Sequence, residues 1–138
     1  FLNDAGGSLC ELDDPETLEM LAEHTVIVYI EADEQIEQTV IERQRLCPKP
    51  LYYQESFLDR MLDEYMDEKK IDKVRQIDPD KFVRWTFPKL LEHRKPLYRA
   101  IADQYGYTVM AQDGEKVTDE ESFLQMIGVS LQAQEVAA

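Results

Sequence analysis

The chain has 138 residues, 43% of them hydrophobic, with 29 acidic and 15 basic side chains and a formal charge of -14. That is enough apolar material for one core, so one compact domain or a large piece of one is expected and a disordered chain is excluded. The acidic excess repels nucleic-acid backbones and anionic lipid surfaces, which argues against nucleic acid and membrane as partners. No apolar run approaches the roughly 20 residues of a membrane span, and no signal peptide precedes Asn3 and Asp4. Cys10 and Cys47 have no metal-ligand spacing, so they read as free thiols in a reducing compartment, with the cytoplasm as the expected location.

In chain order, "FLND" reads as a first strand that ends in the glycine turn "AGGS". Residues 13–24 predict a short helix, with Asp14 as N-cap, Pro15 at the first helical position and Leu18, Met20, Leu21 and Ala22 as its apolar residues. The run "TVIVYIEA" at 25–32 is unbroken in β-branched and aromatic residues, which predicts a central strand covered on both faces. Asp33 can cap the next helix, which carries Ile36 and Val40 one turn apart and ends in Arg43 and Arg45 before Pro48 and Pro50 stop it.

A charged helical insertion at about 46–86 follows, with Phe57, Met61, Leu62 and Tyr65 at helical spacing, and is expected to lie over the core. A longer helical pattern then runs to a stop at Gly106, with kinks or restarts expected at Pro88 and Pro96. Residues 107–112 predict a second short strand. Thr118 and Glu121 match a capping box for a last helix that carries Phe123, Leu124, Ile127 and Leu131. This order predicts an α/β layer with a parallel sheet, in which ligands gather at the carboxyl ends of the strands.

Three places carry possible chemistry. "NDAGGS" offers the Asp4 carboxylate and, at Gly6 and Gly7, a backbone that a ligand can approach closely; a plain tight turn has the same composition. Phe87, Leu91, Arg94, Tyr98 and Ile101 recur at spacings of four and three, which puts an arginine on a stripe that should be buried. Such a guanidinium needs an anion, either an internal Asp or Glu or a ligand carboxylate or phosphate. Arg43, Arg45 and Lys49 form a basic cluster that suits phosphoryl oxygens at the hinge of a mobile insertion, and equally suits a helix C-terminus. His24 and His93 stand alone, which leaves a nucleophilic triad unsupported.

Four stretches in order, "AGGS", "TVIVYIEADEQIEQTVIER", "CPKPLYY" and "HRKPLYRAIADQYGYTV", resemble the C-terminal part of the shikimate kinase-like P-loop small-molecule kinases. They correspond to that family's acceptor loop, its strand and helix leading into the lid, its basic-Pro-Leu lid element and its Arg-x-Pro-Leu-Tyr helix with the final strand. The resemblance implies a three-layer P-loop NTPase-like sheet flanked by helices with a helical lid. It also implies an ATP-dependent phosphotransferase, or a related nucleotide hydrolase, with ATP and Mg2+ as cofactors and a small anionic acceptor.

By the same resemblance, Gly6 and Gly7 line the acceptor site and Arg94 grips the acceptor anion. Arg43 or Arg45, with Lys49, approaches the nucleotide phosphates, and Gln112, Asp113 and Gly114 lie near the adenine; Asp4 is placed to support magnesium indirectly, although the family does not require an acid there. Ser8 replaces the family's third loop glycine, Lys49 replaces its lid arginine, and the insertion is longer, so the resemblance does not carry shikimate over as the acceptor. The phosphate-binding G-x-x-x-x-G-K-[ST] is missing from the chain, which implies a preceding segment with two strands and that loop. A binding or regulatory module that keeps the kinase-like architecture without catalysis is the alternative, and a self-sufficient α/β domain with an unrelated ligand a third.

Overall fold

In the computed structural model, residues 2–5 and 8–137 are described, with the helical backbone alone from 129 onward. The helix starts follow local capping chemistry. Asp14, in extended conformation, accepts hydrogen bonds from the Thr17 amide and hydroxyl and opens α1 (Pro15–His24). Asp33 accepts the Ile36 N–H at 2.8 Å and opens α2 (Glu34–Leu46), whose last turn carries Arg43 and Arg45. The insertion supplies α3 (Glu55–Lys69), which closes on Lys70 in the left-handed region at φ 57°. Asp78 caps α4 (Pro79–Tyr105) by accepting the amides of Asp80 and Lys81.

Helix α4 runs unbroken through Pro88 and Pro96, where kinks or restarts were expected, and no restart occurs at either. Each proline removes one backbone donor, but Thr86, Leu90 and Arg94, buried around them, hold the helix from one side. The last helix, α6 (Glu120–Ala137), is preceded by the one-turn α5 (Ala111–Gly114). Its cap is Asp119, which accepts the Ser122 N–H at 2.8 Å, and not Thr118, whose own N–H donates to the Ser122 hydroxyl. Ile127 is buried while Leu124 is exposed, and the side chain of Leu131 lies outside the described residues.

The sheet has two parallel strands, β1 (Ile27–Glu31) and β2 (Gly106–Met110), in register from Ile27 beside Gly106 to Glu31 beside Met110. The molecule is therefore a mainly helical α/β fold in which a short parallel sheet packs against helices. One face of β1 lies on α4, where Tyr29 stacks on Tyr98 at 5.3 Å and Glu31 pairs with Arg99. On the alternate positions, Val26 and Ile30 are 63% and 61% exposed. This corrects the expectation of a central strand covered on both faces: among the described residues β1 has a strand neighbour on one edge only, and its outer face at Val26 and Ile30 is left exposed. Of the expected first strand, Phe1 lies outside the described residues, and residues 2–5 are neither helix nor strand; a single 3-10 turn (Leu9–Glu11) follows.

The buried apolar cluster joins Phe57, Met61 and Tyr65 of α3 to Phe82 and Leu90 of α4. Its rings interlock edge to face: Tyr65 meets Phe82 at 5.3 Å and Trp85 at 5.1 Å, and Phe82 also meets Tyr53 at 6.2 Å. The insertion is thus not laid over a core elsewhere; with the start of α4 it forms this cluster. Among the described residues, no helix is long and apolar enough to cross a membrane.

Candidate functional site

The inner stripe of α4 runs Phe82, Thr86, Leu90, Arg94 and Ala102, so an arginine is buried at 8% exposure in line with apolar neighbours. Burying a guanidinium costs several kcal/mol unless an anion and hydrogen-bond acceptors meet it. Here Arg94 Nε donates to Glu11 Oε1 at 2.5 Å and Nη2 donates to the carbonyl of Tyr52 at 2.9 Å. The other oxygen of Glu11 accepts the N–H of Gln54, the N-cap of α3, at 3.2 Å. One carboxylate therefore ties the turn Leu9–Glu11, the start of α3 and the middle of α4 together.

The electrostatics follow from this closure. Burial works against the charge on Arg94, but the bond to Glu11 more than offsets it and the guanidinium is held more firmly protonated than usual. Burial pushes the Tyr98 phenol up to about 12, and a hydrogen bond shared with Cys10 acts in the same direction. Burial also raises the Cys10 thiol and the Tyr53 phenol, in each case against a smaller opposing pull from Arg94. The Tyr53 hydroxyl, Thr86 Oγ1 and His93 Nε2 are buried without a hydrogen-bond partner among the described residues, and the His93 ring packs on Phe57 at 4.7 Å. The arrangement is suited to holding an anion, and nothing in it pairs a nucleophile with a base.

The basic cluster is arranged differently. Arg45 makes a two-pronged bond to Glu42 of its own helix, both contacts at 2.7 Å, and its carbonyl accepts Arg84 Nε at 2.8 Å. Lys49 has an exposed side chain and a carbonyl held by the buried Gln44 at 2.9 Å. Arg43 lines an open groove of about 1030 Å³ along α2, together with Gln38, Thr39 and Leu46. The partners of this cluster are Glu42, Arg84 and Gln44, whereas those of Arg94 are Glu11, Tyr52 and Tyr98.

Gln112, Asp113 and Gly114 fall in α5, directly after β2. Asp113 pairs with Lys116 at 2.8 Å on the wall of a second groove, of about 470 Å³, which Thr108, Met110, Ser122 and Met126 also line. Asp4 is exposed within residues 2–5, and Gly6 and Gly7 lie outside the described residues. No group of three or more His, Cys, Asp or Glu is placed to hold a metal ion among the described residues. Sequence reasoning found Arg94 and missed its partner: Glu11 stands 83 positions away, and nothing in its local pattern separates it from the other acids.

Compared with protein-family models, with curated proteins and with solved structures, the chain has no match.

Proposed function

We propose that this chain is the acceptor-binding and lid-bearing part of an ATP-dependent phosphotransferase of the shikimate kinase-like P-loop class, acting on a small anionic metabolite. The observation that carries this reading is the buried guanidinium of Arg94. It sits on the helix with the Arg-x-Pro-Leu-Tyr element, and it is met by Glu11 of the single turn Leu9–Glu11 and by the Tyr52 carbonyl of the irregular segment before α3. Arg94 would fix the acceptor anion and so orient the attacking hydroxyl, converting a chance encounter into a positioned one. Arg43, exposed in the last turn of α2, and Lys49, exposed just beyond it, would bring positive charge toward the transferring group.

The residues present do not form a nucleotide cradle, because the chain has no phosphate loop and no metal-holding group among its described residues. In this reading ATP and Mg2+ are held by a further segment whose strands pair along the open edge of β1 and whose helices cover Val26 and Ile30 on its outer face. Two parallel strands alone are a poor sheet, which supports that requirement.

The test is kinetic, on protein expressed together with its preceding coding sequence. With a panel of small carboxylate acceptors, Arg94→Ala is expected to reduce kcat/KM by roughly 10- to 100-fold, the worth of a hydrogen bond to a charged group. Unchanged kcat and KM would remove Arg94 from the acceptor site. A non-catalytic binding module is the second reading, favoured by the engagement of Arg94 with Glu11 and by the exposed acidic row Glu55, Asp59, Asp63 and Asp67 on α3. A phosphate loop in the preceding sequence decides for the enzyme, and its absence for the module.

A further inference from the structure

We propose that Glu11 is a built-in competitor for the Arg94 site, a carboxylate of the chain itself that an incoming small-molecule carboxylate displaces, releasing the turn Leu9–Glu11. This rests on the reading of Arg94 as the acceptor-anion residue. The geometry of the pair already matches a bound carboxylate: one oxygen is 2.5 Å from Arg94 Nε and the other 3.2 Å from the Gln54 N–H. Those two donors belong to the two helices that share the apolar cluster, so they stay in place when the carboxylate leaves.

The carrier of Glu11 packs against α4 through the buried Cys10, but its own backbone is far shorter than the helices it holds together. It is a single 3-10 turn secured by the Glu11 amide on the Ser8 carbonyl and the Leu12 amide on the Leu9 carbonyl. It sits between irregular segments, and Leu12 beyond it is exposed. Cys10 on the same turn is its other attachment, through the bond to Tyr98.

Exchange of one carboxylate for another keeps the buried guanidinium compensated throughout, which a neutral ligand cannot do. That makes the device selective for anions. The Tyr53 hydroxyl, lying between Tyr52 and Gln54 in the chain and buried without a partner among the described residues, is available to a second polar group of the ligand. Because the internal carboxylate holds the site most of the time, the affinity seen by an external one is lowered by the fraction of time the site is vacated.

The experiment titrates acetate into the isotopically labelled chain and follows the Arg94 Nε–H and Gln54 amide signals by NMR, in the wild type and in Glu11→Gln. Glu11→Gln keeps the shape and an acceptor oxygen but gives up the charge, and is expected to bind acetate at least roughly 10-fold more tightly, as for an internal ligand that is away about a tenth of the time. Both signals should move together. A second measurement uses the wild type alone: saturating acetate should speed hydrogen exchange at the Glu11 and Leu12 amides while α3 and α4 stay protected. Equal acetate affinity in both proteins with the Arg94 signal moving, or unchanged exchange at Glu11 and Leu12 on saturation, overturns the displacement and leaves the acceptor reading intact. An Arg94 signal that acetate never moves, in either protein, overturns both.

Discussion

The α3–α4 pair and the β1–β2 pair use apolar surface in opposite ways. Between the helices, Phe57, Met61, Tyr65, Phe82 and Leu90 are buried and their rings interlock. On the sheet, Val109 is buried, yet its neighbour across the ladder, Ile30, is largely exposed, and so is Val26. A helix satisfies its backbone internally and needs to bury only one stripe, so two helices can complete each other. A strand leaves half its backbone groups and one whole face to be met by something else. The lesson is that the part of the sequence that reads as an appendage is the better-packed unit, and the part that reads as the centre depends on its surroundings.

Substitutions can break or sharpen that contrast. Phe82→Ala removes the ring that meets Tyr53, Tyr65 and Trp85, and a loss of about 3–5 kcal/mol is expected in denaturant unfolding. Next comes Gly106→Ala, since a Cβ at Gly106 would overlap the carbonyl of Ile27 on the adjacent strand. A loss of about 1–3 kcal/mol is expected, as for overpacking, with hydrogen exchange accelerated in β1 and β2 and unchanged in α3. If α3 lost protection as well, the two regions would be one cooperative unit and the contrast would fall.

A smaller effect is expected from alkali. The Tyr98 phenol, stacked on Tyr29 between β1 and α4, holds its proton more tightly folded than unfolded, with a folded value of about 12. Its contribution is therefore complete below the ordinary tyrosine range and is lost as pH rises from about 10 through about 12. The raised Cys10 thiol acts in the same sense from a lower pH. Melting temperature should fall across that window, and Tyr98→Phe should make the fall shallower. The smallest change is predicted for Ile30→Thr, within about 0.5 kcal/mol in the chain by itself. A loss comparable to that of Phe82→Ala would show that this face of β1 is already packed.

Much of the fold was legible residue by residue. Asp14, Pro15 and Asp33 mark helix starts because capping acts within three residues. Burial of Arg94 was legible too, although the stripe expected to carry it was displaced: Phe87, Leu91, Tyr98 and Ile101 are half-buried, and the buried stripe runs Phe82, Thr86, Leu90, Arg94 and Ala102. Thr118 misled because Asp119, one position on, offers a carboxylate oxygen to the Ser122 amide. Pro88 and Pro96 misled because α4 is held along its flank by packing that local rules do not see. Val26 and Ile30 suggested a fully covered strand since β-branched residues describe what a strand can bury, not what is there to bury it.

By itself the amino-acid order determined where α1 and α2 begin, that Phe57, Met61 and Tyr65 share the buried stripe of α3, and that an arginine of α4 is buried. These depend on capping and periodicity, which reach no further than a few residues. Only the tertiary structure decided that Glu11 meets Arg94, that β1 lies parallel to β2 with its far face open, and that the insertion forms the apolar cluster with α4. Each of those joins residues far apart in the chain, and with 29 acids to choose from, local pattern cannot say which one closes on a given arginine.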